Sequence, residues 1–346
     1  MTLQTLTDKM DGRIGRRALL AGLGGGALLL LGGSAVWLGS RHRPTLRASR
    51  RVMGTRATIL VHHDSLATAE AAMATAFAAI DDVARRMTRY DADSEIGRLN
   101  AQRERWWPVS ADTDAVLDAA LAVARATDGS FDPCVERIVS AWGFHAHAPP
   151  ATLPAPFRQA TAHPVTGGYR GLAFRPAAGG RQWRLPAANP GLDLGGIAKG
   201  YAIDRAAAAL RRAGVTRALV NVGDDIYALG HAPDGDPWRI GVRHPRQPGA
   251  LLTTLQLREQ AVATSGDYIN FFERDGRRYS HLIDTRAGAP GEAQQSTSIV
   301  ADSAMLADAL ATAVGSAPWP RAQALLRRMA PGPWVAVTAG GTLHRG

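Results

Sequence analysis

An α+β fold built of antiparallel sheets with helices packed on them is what this sequence predicts, and two observations predict it. In the second half, the apolar runs at residues 219–222, 238–242 and 252–257 follow one another across Gly, Pro and Asp turns, many with no helix between them. Strands that neighbour one another so closely in sequence pair antiparallel rather than in a doubly wound parallel sheet. In the first half, Leu66, Ala69, Met73, Phe77, Ile80, Val83 and Met87 recur at three- and four-residue steps, the stripe of one long helix turned toward a core.

The remaining elements follow in order. A strand is expected at residues 55–61, ahead of that helix. Val116, Ala119, Ala120 and Val123 mark a second helix, closed by the turn pair Asp128-Gly129. Residues 146–189 are rich in proline, alanine and glycine and read as loops with two short strands around Leu172 and Trp183. An alanine-rich helix runs from Lys199 to near Ala213-Gly214, and another follows Ala301-Asp302-Ser303, which supply its N-cap. There is no internal repeat.

Composition bounds the function. The chain has 346 residues, 46% of them hydrophobic, enough for one large or two moderate domains. Its formal charge of +10 favours anionic partners, and a dinucleotide diphosphate or an anionic membrane surface suits it. Nucleic acid is disfavoured, because no basic helix with interleaved aromatics, zinc-ligand spacing or helix-turn-helix pattern is present. The single cysteine, Cys134, excludes an intrachain disulfide and a dithiol pair, and its setting in Phe131-Asp132-Pro133-Cys134 reads as a small buried residue at a turn.

The N-terminus reads as an export segment. Arg13, Arg16 and Arg17 precede an uncharged stretch over residues 18–38, which then meets Arg41, His42 and Arg43. Adjacent Arg16-Arg17 with a glycine-diluted apolar core resembles a twin-arginine signal. An ordinary signal or a retained anchor is the alternative, since the run is long enough to span a bilayer and Gly33-Ser34-Ala35 is a weak cleavage site. The expected organisation is a signal or anchor at residues 1–40, a basic linker at 41–51 and one catalytic domain at 52–346, lying in the periplasm or otherwise outside the cytoplasm, free or held at the inner membrane.

Three segments concentrate the chemistry. In residues 192–201 the pair Gly195-Gly196 leads into a helix, so backbone N–H groups can approach phosphate oxygens, and Lys199 sits in the first turn, where a cation opposes the helix dipole. A solvated lysine in an ordinary turn is the rival reading. Asp308 and Thr312 share a helix face at i and i+4, a carboxylate beside a hydroxyl, which suits a hard cation such as magnesium. Their neighbours are nearly all Ala, Leu or Met, so the helix reads as buried and its aspartate as costly without charged company. Finally, His281 and Asp284 lie three residues apart where a strand enters a turn, and His281 has the chemistry of a general base. A structural histidine at a strand end is the alternative.

Together these segments resemble the ApbE family, the FAD:protein FMN transferases, from Met53 to Gly315. The matching motifs are Met53-Gly54-Thr55, Tyr90-Asp91, Asp93-Ser94-Glu95-Ile96, Leu99-Asn100, Asp128 to Pro133, Trp142-Gly143-Phe144, Asp193 to Tyr201, Asn221-Val222-Gly223, Thr264-Ser265-Gly266 and His281 to Gly288. The resemblance implies a compact two-lobed, T-fold-like architecture with FAD between the lobes. It places FAD, as substrate, against Met53, Tyr90, Ser130, Phe131, Asp132, Asp193, Lys199 and Leu282. It gives magnesium to Asp308, Thr312 and the carbonyl of Gly196, and it makes His281 the base, with Asp284 beside it. The reaction it implies moves FMN to a Thr or Ser hydroxyl of an acceptor flavoprotein, a respiratory electron-transfer subunit, and releases AMP. An FAD pyrophosphatase, or a non-catalytic FAD-binding accessory protein, would use the same site.

The chain departs from the family pattern at three points. Asp284-Thr285-Arg286-Ala287-Gly288 replaces Asp-Pro-Arg-Thr-Gly, and Ala311 stands where some members have a further acidic ligand. Asn221-Val222-Gly223-Asp224 replaces Asn-x-Gly-Gly, so a position that often needs glycine's torsions carries a side chain, tolerable if Asp224 adopts a left-handed conformation.

Overall fold

In the computed structural model, residues 45–145, 149–154 and 168–346 are described, together with the backbone of two short strands, β1 (Leu28–Leu31) and β2 (Ser34–Trp37), which pair antiparallel. The rest of the N-terminal stretch expected to direct export, including Arg16 and Arg17, lies outside the described residues.

An eight-stranded sheet organises the molecule. Its strands are β3 (Thr45–Val52), β4 (Thr55–His62), β8 (Ala218–Val222), β9 (Asp225–Leu229), β12 (Gln260–Ser265), β17 (Ser296–Ala301), β18 (Trp334–Val337) and β19 (Leu343–Arg345). They lie in the order β19-β18-β17-β12-β9-β8-β4-β3, and every neighbouring pair is antiparallel. The turns at Met53-Gly54 and Gly223-Asp224, the excursion from Ser265 to Ser296 and the turn from Val337 to Leu343 consequently all emerge at one end of this sheet.

Period-two alternation gives the sheet two apolar faces. Val220, Tyr227, Ala261, Ala263 and Ile299 point into the main core, against helices α1 (Leu66–Met87), α5 (Ala198–Arg212) and α6 (Ala304–Gly315). Leu219, Ala228, Val262 and Val300 point the other way, against Trp238 and Ile240 of β10 (Trp238–Arg243) and Leu257 of β11 (Leu251–Leu257). The expected stripe of α1 is buried from Ala69 to Met87, and Ser65 caps the helix by accepting the Thr68 N–H.

Smaller elements surround the sheet. Helices α2 (Glu95–Ala101), α3 (Ala111–Ala126) and α4 (Glu136–Ala141) precede a three-stranded sheet of β5 (Trp107–Pro108), β6 (Ala173–Ala177) and β7 (Gly180–Arg184). The last two are the short strands expected near Leu172 and Trp183. Within the excursion, β13 (Phe271–Arg274) pairs with β14 (Arg277–Ser280) and β15 (Ile283–Asp284) with β16 (Ala289–Pro290), and α7 (Trp319–Met329) follows α6. Trp142, Phe144 and Ile138 pack on Tyr279 and Ile283, fastening the excursion to the α4 region.

Two expectations need correction here. Residues 45–51 are not linker but most of β3, paired from Thr45↔His62 to Val52↔Thr55. This edge strand buries Leu46 and exposes Arg50 and Arg51, so its apolar alternation is too sparse to stand out from a basic stretch. Asp224 is not left-handed. Gly223, with φ of 70°, takes that conformation at the first central position of the β8–β9 turn, which leaves an ordinary backbone for Asp224 and lets it pair with Arg243.

Candidate active site

The close approach of two helices builds the centre of the site. A Cβ on Gly200 would stand 2.1 Å from the carbonyl oxygen of Ala304, so only glycine allows α5 and α6 to cross so tightly. That proximity lets the Asp308 Oδ2 of α6 accept the backbone N–H of Gly200 at 3.1 Å. α5 has no side-chain cap of its own, and Asp308 satisfies one of its orphan donors from more than a hundred residues away.

Lys199 ties this helix pair to the sheet. Its Nζ donates to Asp308 Oδ1 at 2.9 Å and to Asp225 Oδ2 at 2.7 Å, and Asp225 Oδ1 accepts the Thr264 N–H at 3.1 Å. Burial disfavours the ammonium, but the two carboxylates outweigh it and hold the Lys199 pKa above its ordinary value. Burial, reinforced by Asp308 and only partly offset by Lys199, pushes Asp225 up to about 7. Two carboxylates against one ammonium leave this buried cluster one negative charge in excess when both are ionised, an incentive for a further cation.

One helical turn beyond Asp308, Thr312 Oγ1 lies 3.5 Å from the Gly196 carbonyl and 3.5 Å from Ser265 Oγ. Among the described residues no three His, Cys, Asp or Glu side chains group to hold a metal. The Asp308 carboxylate lies one turn of α6 from the Thr312 hydroxyl, which itself meets the Gly196 carbonyl. All are hard oxygens, and together with the excess charge they fit a small hard cation that completes its shell from phosphate or water.

On the other flank, Asp193 Oδ1 accepts the Gly195 N–H at 2.8 Å, while Oδ2 meets His145 Nε2 at 3.0 Å and Arg89 Nε at 3.4 Å. Burial opposes ionisation of Asp193, yet His145 and Arg89 prevail and hold its pKa below the usual carboxylate range. The Arg89 guanidinium also lies over the Tyr90 ring at 3.9 Å, and His145 meets that ring edge-on at 5.9 Å. Tyr90 is 71% exposed, an aromatic face open to solvent beside buried charges. Arg89 Nη2 is buried and has no protein partner, a donor available to a ligand oxygen.

The loop after α3 adjoins the C-terminal end of α6. Ser316 Oγ donates to the Ser130 carbonyl at 3.3 Å, and the Thr285 hydroxyl donates to the Gly129 carbonyl. Ser130 Oγ accepts from Arg321, and Phe131 is buried. Asp132 accepts the N–H groups of Cys134 at 2.8 Å and Tyr169 at 3.0 Å, and burial pushes its pKa up to about 7. Asp132 therefore braces its own loop. Leu282 is buried against the Gly315 position, which leaves its backbone as the part able to meet a ligand. Cys134 is buried and its thiol is pushed well up by burial, as a structural residue requires.

Met53 sits in a left-handed conformation, φ 52°, in the tight turn with Gly54. A non-glycine residue there is strained, and the strain holds a half-buried thioether at the sheet end that carries the site.

His281 and Asp284 do not act as a pair. The His281 Nδ1 lies 3.2 Å from the Asn270 carbonyl, whereas Asp284 Oδ1 accepts the N–H groups of Arg286 at 2.9 Å and Ala287 at 3.3 Å. Asp284 thus closes its own turn, a role the short spacing concealed. Burial lowers the His281 pKa, and the nearby Lys199 charge lowers it further. The imidazole is therefore neutral at pH 7 and able to accept a proton.

Comparison with known proteins places the chain in a family. Residues 53–333 match the model of the ApbE family. The chain belongs to the ApbE family. It is 31% identical over 245 residues to the FAD:protein FMN transferase of Salmonella typhimurium, covering 70% of each chain. It is 32% identical over 306 residues to that of Klebsiella pneumoniae, covering 86% of this chain and 85% of the relative. The solved ApbE protein of Thermotoga maritima superposes with a TM-score of 0.76 at 29% identity, over 88% of this chain and 97% of that one. The ApbE-family fold accounts for the antiparallel sheet with packed helices.

Three participants escaped the sequence reading. Asp225 stands one residue past the turn that drew attention to Asp224, and only strand pairing carries it to Lys199. Arg89 and His145 are polar residues next to quoted motifs, Tyr90 and Phe144, and the clue was adjacency alone.

Proposed function

We propose that this chain transfers the FMN half of FAD to a Thr or Ser hydroxyl of an acceptor protein in a magnesium-dependent reaction that releases AMP. Family membership supports a flavin transferase that draws on FAD and acts on a flavoprotein acceptor. The observation that carries the finer reading is Lys199 held between the buried carboxylates of Asp225 and Asp308, two acidic groups to one ammonium, one helical turn from the Thr312 hydroxyl and the Gly196 carbonyl. Magnesium held by Asp308, Thr312 and the Gly196 carbonyl would supply charge neutralisation to the FAD diphosphate.

The chain's own residues supply the rest. Lys199, fixed by two carboxylates, presents its charge at the start of α5. Tyr90 offers a face for an aromatic ring, and Arg89 offers an unpartnered donor beside it. Met53, Ser130 to Asp132, Asp193 and Leu282 bound the remaining flavin surface, several through backbone. His281, neutral and half-buried, takes the proton of the attacking hydroxyl. The phosphorus on the FMN side forms a bond to that oxygen and loses its bond to AMP. Chemistry of this kind rests on positioning and charge stabilisation, consistent with a site that lacks a nucleophilic thiol.

The twin-arginine pattern and apolar run at the N-terminus support an exported domain, in the periplasm or held at the inner membrane by its leader. In that setting the acceptor is a respiratory electron-transfer subunit. Incubating the protein with FAD, magnesium and a candidate acceptor, then weighing the acceptor, tests the proposal. A gain of one FMN is expected. Free FMN with an unmodified acceptor would instead mark a pyrophosphatase, and unchanged FAD a carrier.

A further inference from the structure

Asn270 makes two connections, and together they bear on the base. Its main-chain carbonyl accepts both the backbone N–H of His281, at 3.0 Å, and the His281 ring at Nδ1, at 3.2 Å. A carbonyl has no proton to give, so the neutral imidazole carries its hydrogen on Nδ1 and keeps the Nε2 lone pair free. Its side-chain Nδ2 donates to the Phe144 carbonyl at 3.3 Å. Phe144 stacks on Phe272, Phe272 on Tyr279 and Tyr279 on Trp142, so this acceptor is embedded in a packed aromatic cluster. The next residue, His145, bonds Asp193 on the flank of the site that carries Tyr90.

We propose that Asn270 is a positioning residue for the transfer reaction. Its carbonyl selects the His281 tautomer with a basic Nε2, and its side chain pins that carbonyl to the segment leading to Asp193. The base and the flavin-facing flank are thereby held in one register by a single residue. The flanking residues cannot do the same, because Ile269 and Phe271 are apolar and exposed. This inference rests on the transferase reading, in which His281 is the base.

The full-length chain labelled with ¹⁵N-histidine, as wild type, Asn270→Ala and Asn270→Gln, supplies the test. In the wild type the His281 signals should show a protonated Nδ1 and an unprotonated Nε2. Asn270→Ala should mix the two tautomers and lower kcat for transfer on the order of tenfold to a hundredfold, with KM for FAD unchanged. Asn270→Gln, which keeps an amide donor, should restore a large part of both. The proposal is overturned if Asn270→Ala leaves the tautomer and kcat as they were. It is equally overturned if kcat and KM deteriorate together and Asn270→Gln does no better, the mark of general loosening. A wild type that holds the tautomer but moves no flavin to the acceptor defeats the transferase reading, and the intact tautomer signal separates that failure from a failure of Asn270.

Discussion

Replacing Lys199 with methionine should destabilise the domain more than any change that removes one of its partners. The side chain is close in length, but the substitution strands Asp225 and Asp308, both about 2% exposed, without the ammonium that lies within 2.9 Å of each. Breaking a buried pair by deleting one member costs about 3–5 kcal/mol, because the surviving charge stays desolvated. For a domain of roughly 300 residues the unfolding entropy is about 0.6 kcal/mol per degree, so Tm should fall by about 5–8 °C. Thermal melts at pH 7.5 in EDTA check this. Asp308→Ala is the control. It leaves Lys199 paired with Asp225 and loses the cap on Gly200, worth about 1 kcal/mol, or near 2 °C. A Lys199→Met protein that melts within about 2 °C of wild type would refute the idea that the lysine balances two buried charges.

Other expectations concern activity and export. Asp308→Ala should cut magnesium-dependent transfer on the order of a hundredfold or more while the protein stays folded, and EDTA should reproduce the loss in wild type but add little to the variant; full activity in the variant would displace the metal site. His281→Ala should abolish transfer yet leave FAD binding, measured by flavin fluorescence, nearly intact. Because burial depresses the His281 pKa below 6.5, the neutral base persists through neutrality, so kcat/KM should hold level down to about pH 6.5 and decline only at more acid values. By the same sign, the His281 contribution to stability is unaffected above that pH and is lost as protons bind preferentially to the unfolded chain below it. Changing Arg16 and Arg17 to lysine should retain the protein in the cytoplasm, and normal export of that variant, followed by cell fractionation, would defeat the signal assignment.

What the sequence made legible were features with a period or a local clash. The stripe of α1 repeats every three to four residues, and an aspartate among Ala and Leu on α6 is conspicuous because burying it is costly, so Asp308 and Thr312 were visible before any fold was known. Lys199 was visible because it opposes the dipole of its own helix. Asp225 was not, since a second acidic residue after a turn looks like surface, and only the β9–β12 pairing takes it out of solvent. Asp284 misled for the converse reason. Three residues from a histidine suggests a pair, but a turn's N–H groups compete for the carboxylate and win by proximity.

The edge strand β3 fixes the end of the sheet at which the chain enters the domain. Its N-terminal residue, Thr45, pairs with His62 at the end of the sheet opposite the Met53-Gly54 turn, and the eight residues between them span about 25 Å. The residues before Thr45 therefore join the domain at its base. Any anchor carried by the proposed leader would thus be attached at the end of the sheet away from the turns that frame the flavin site, one strand's length from them.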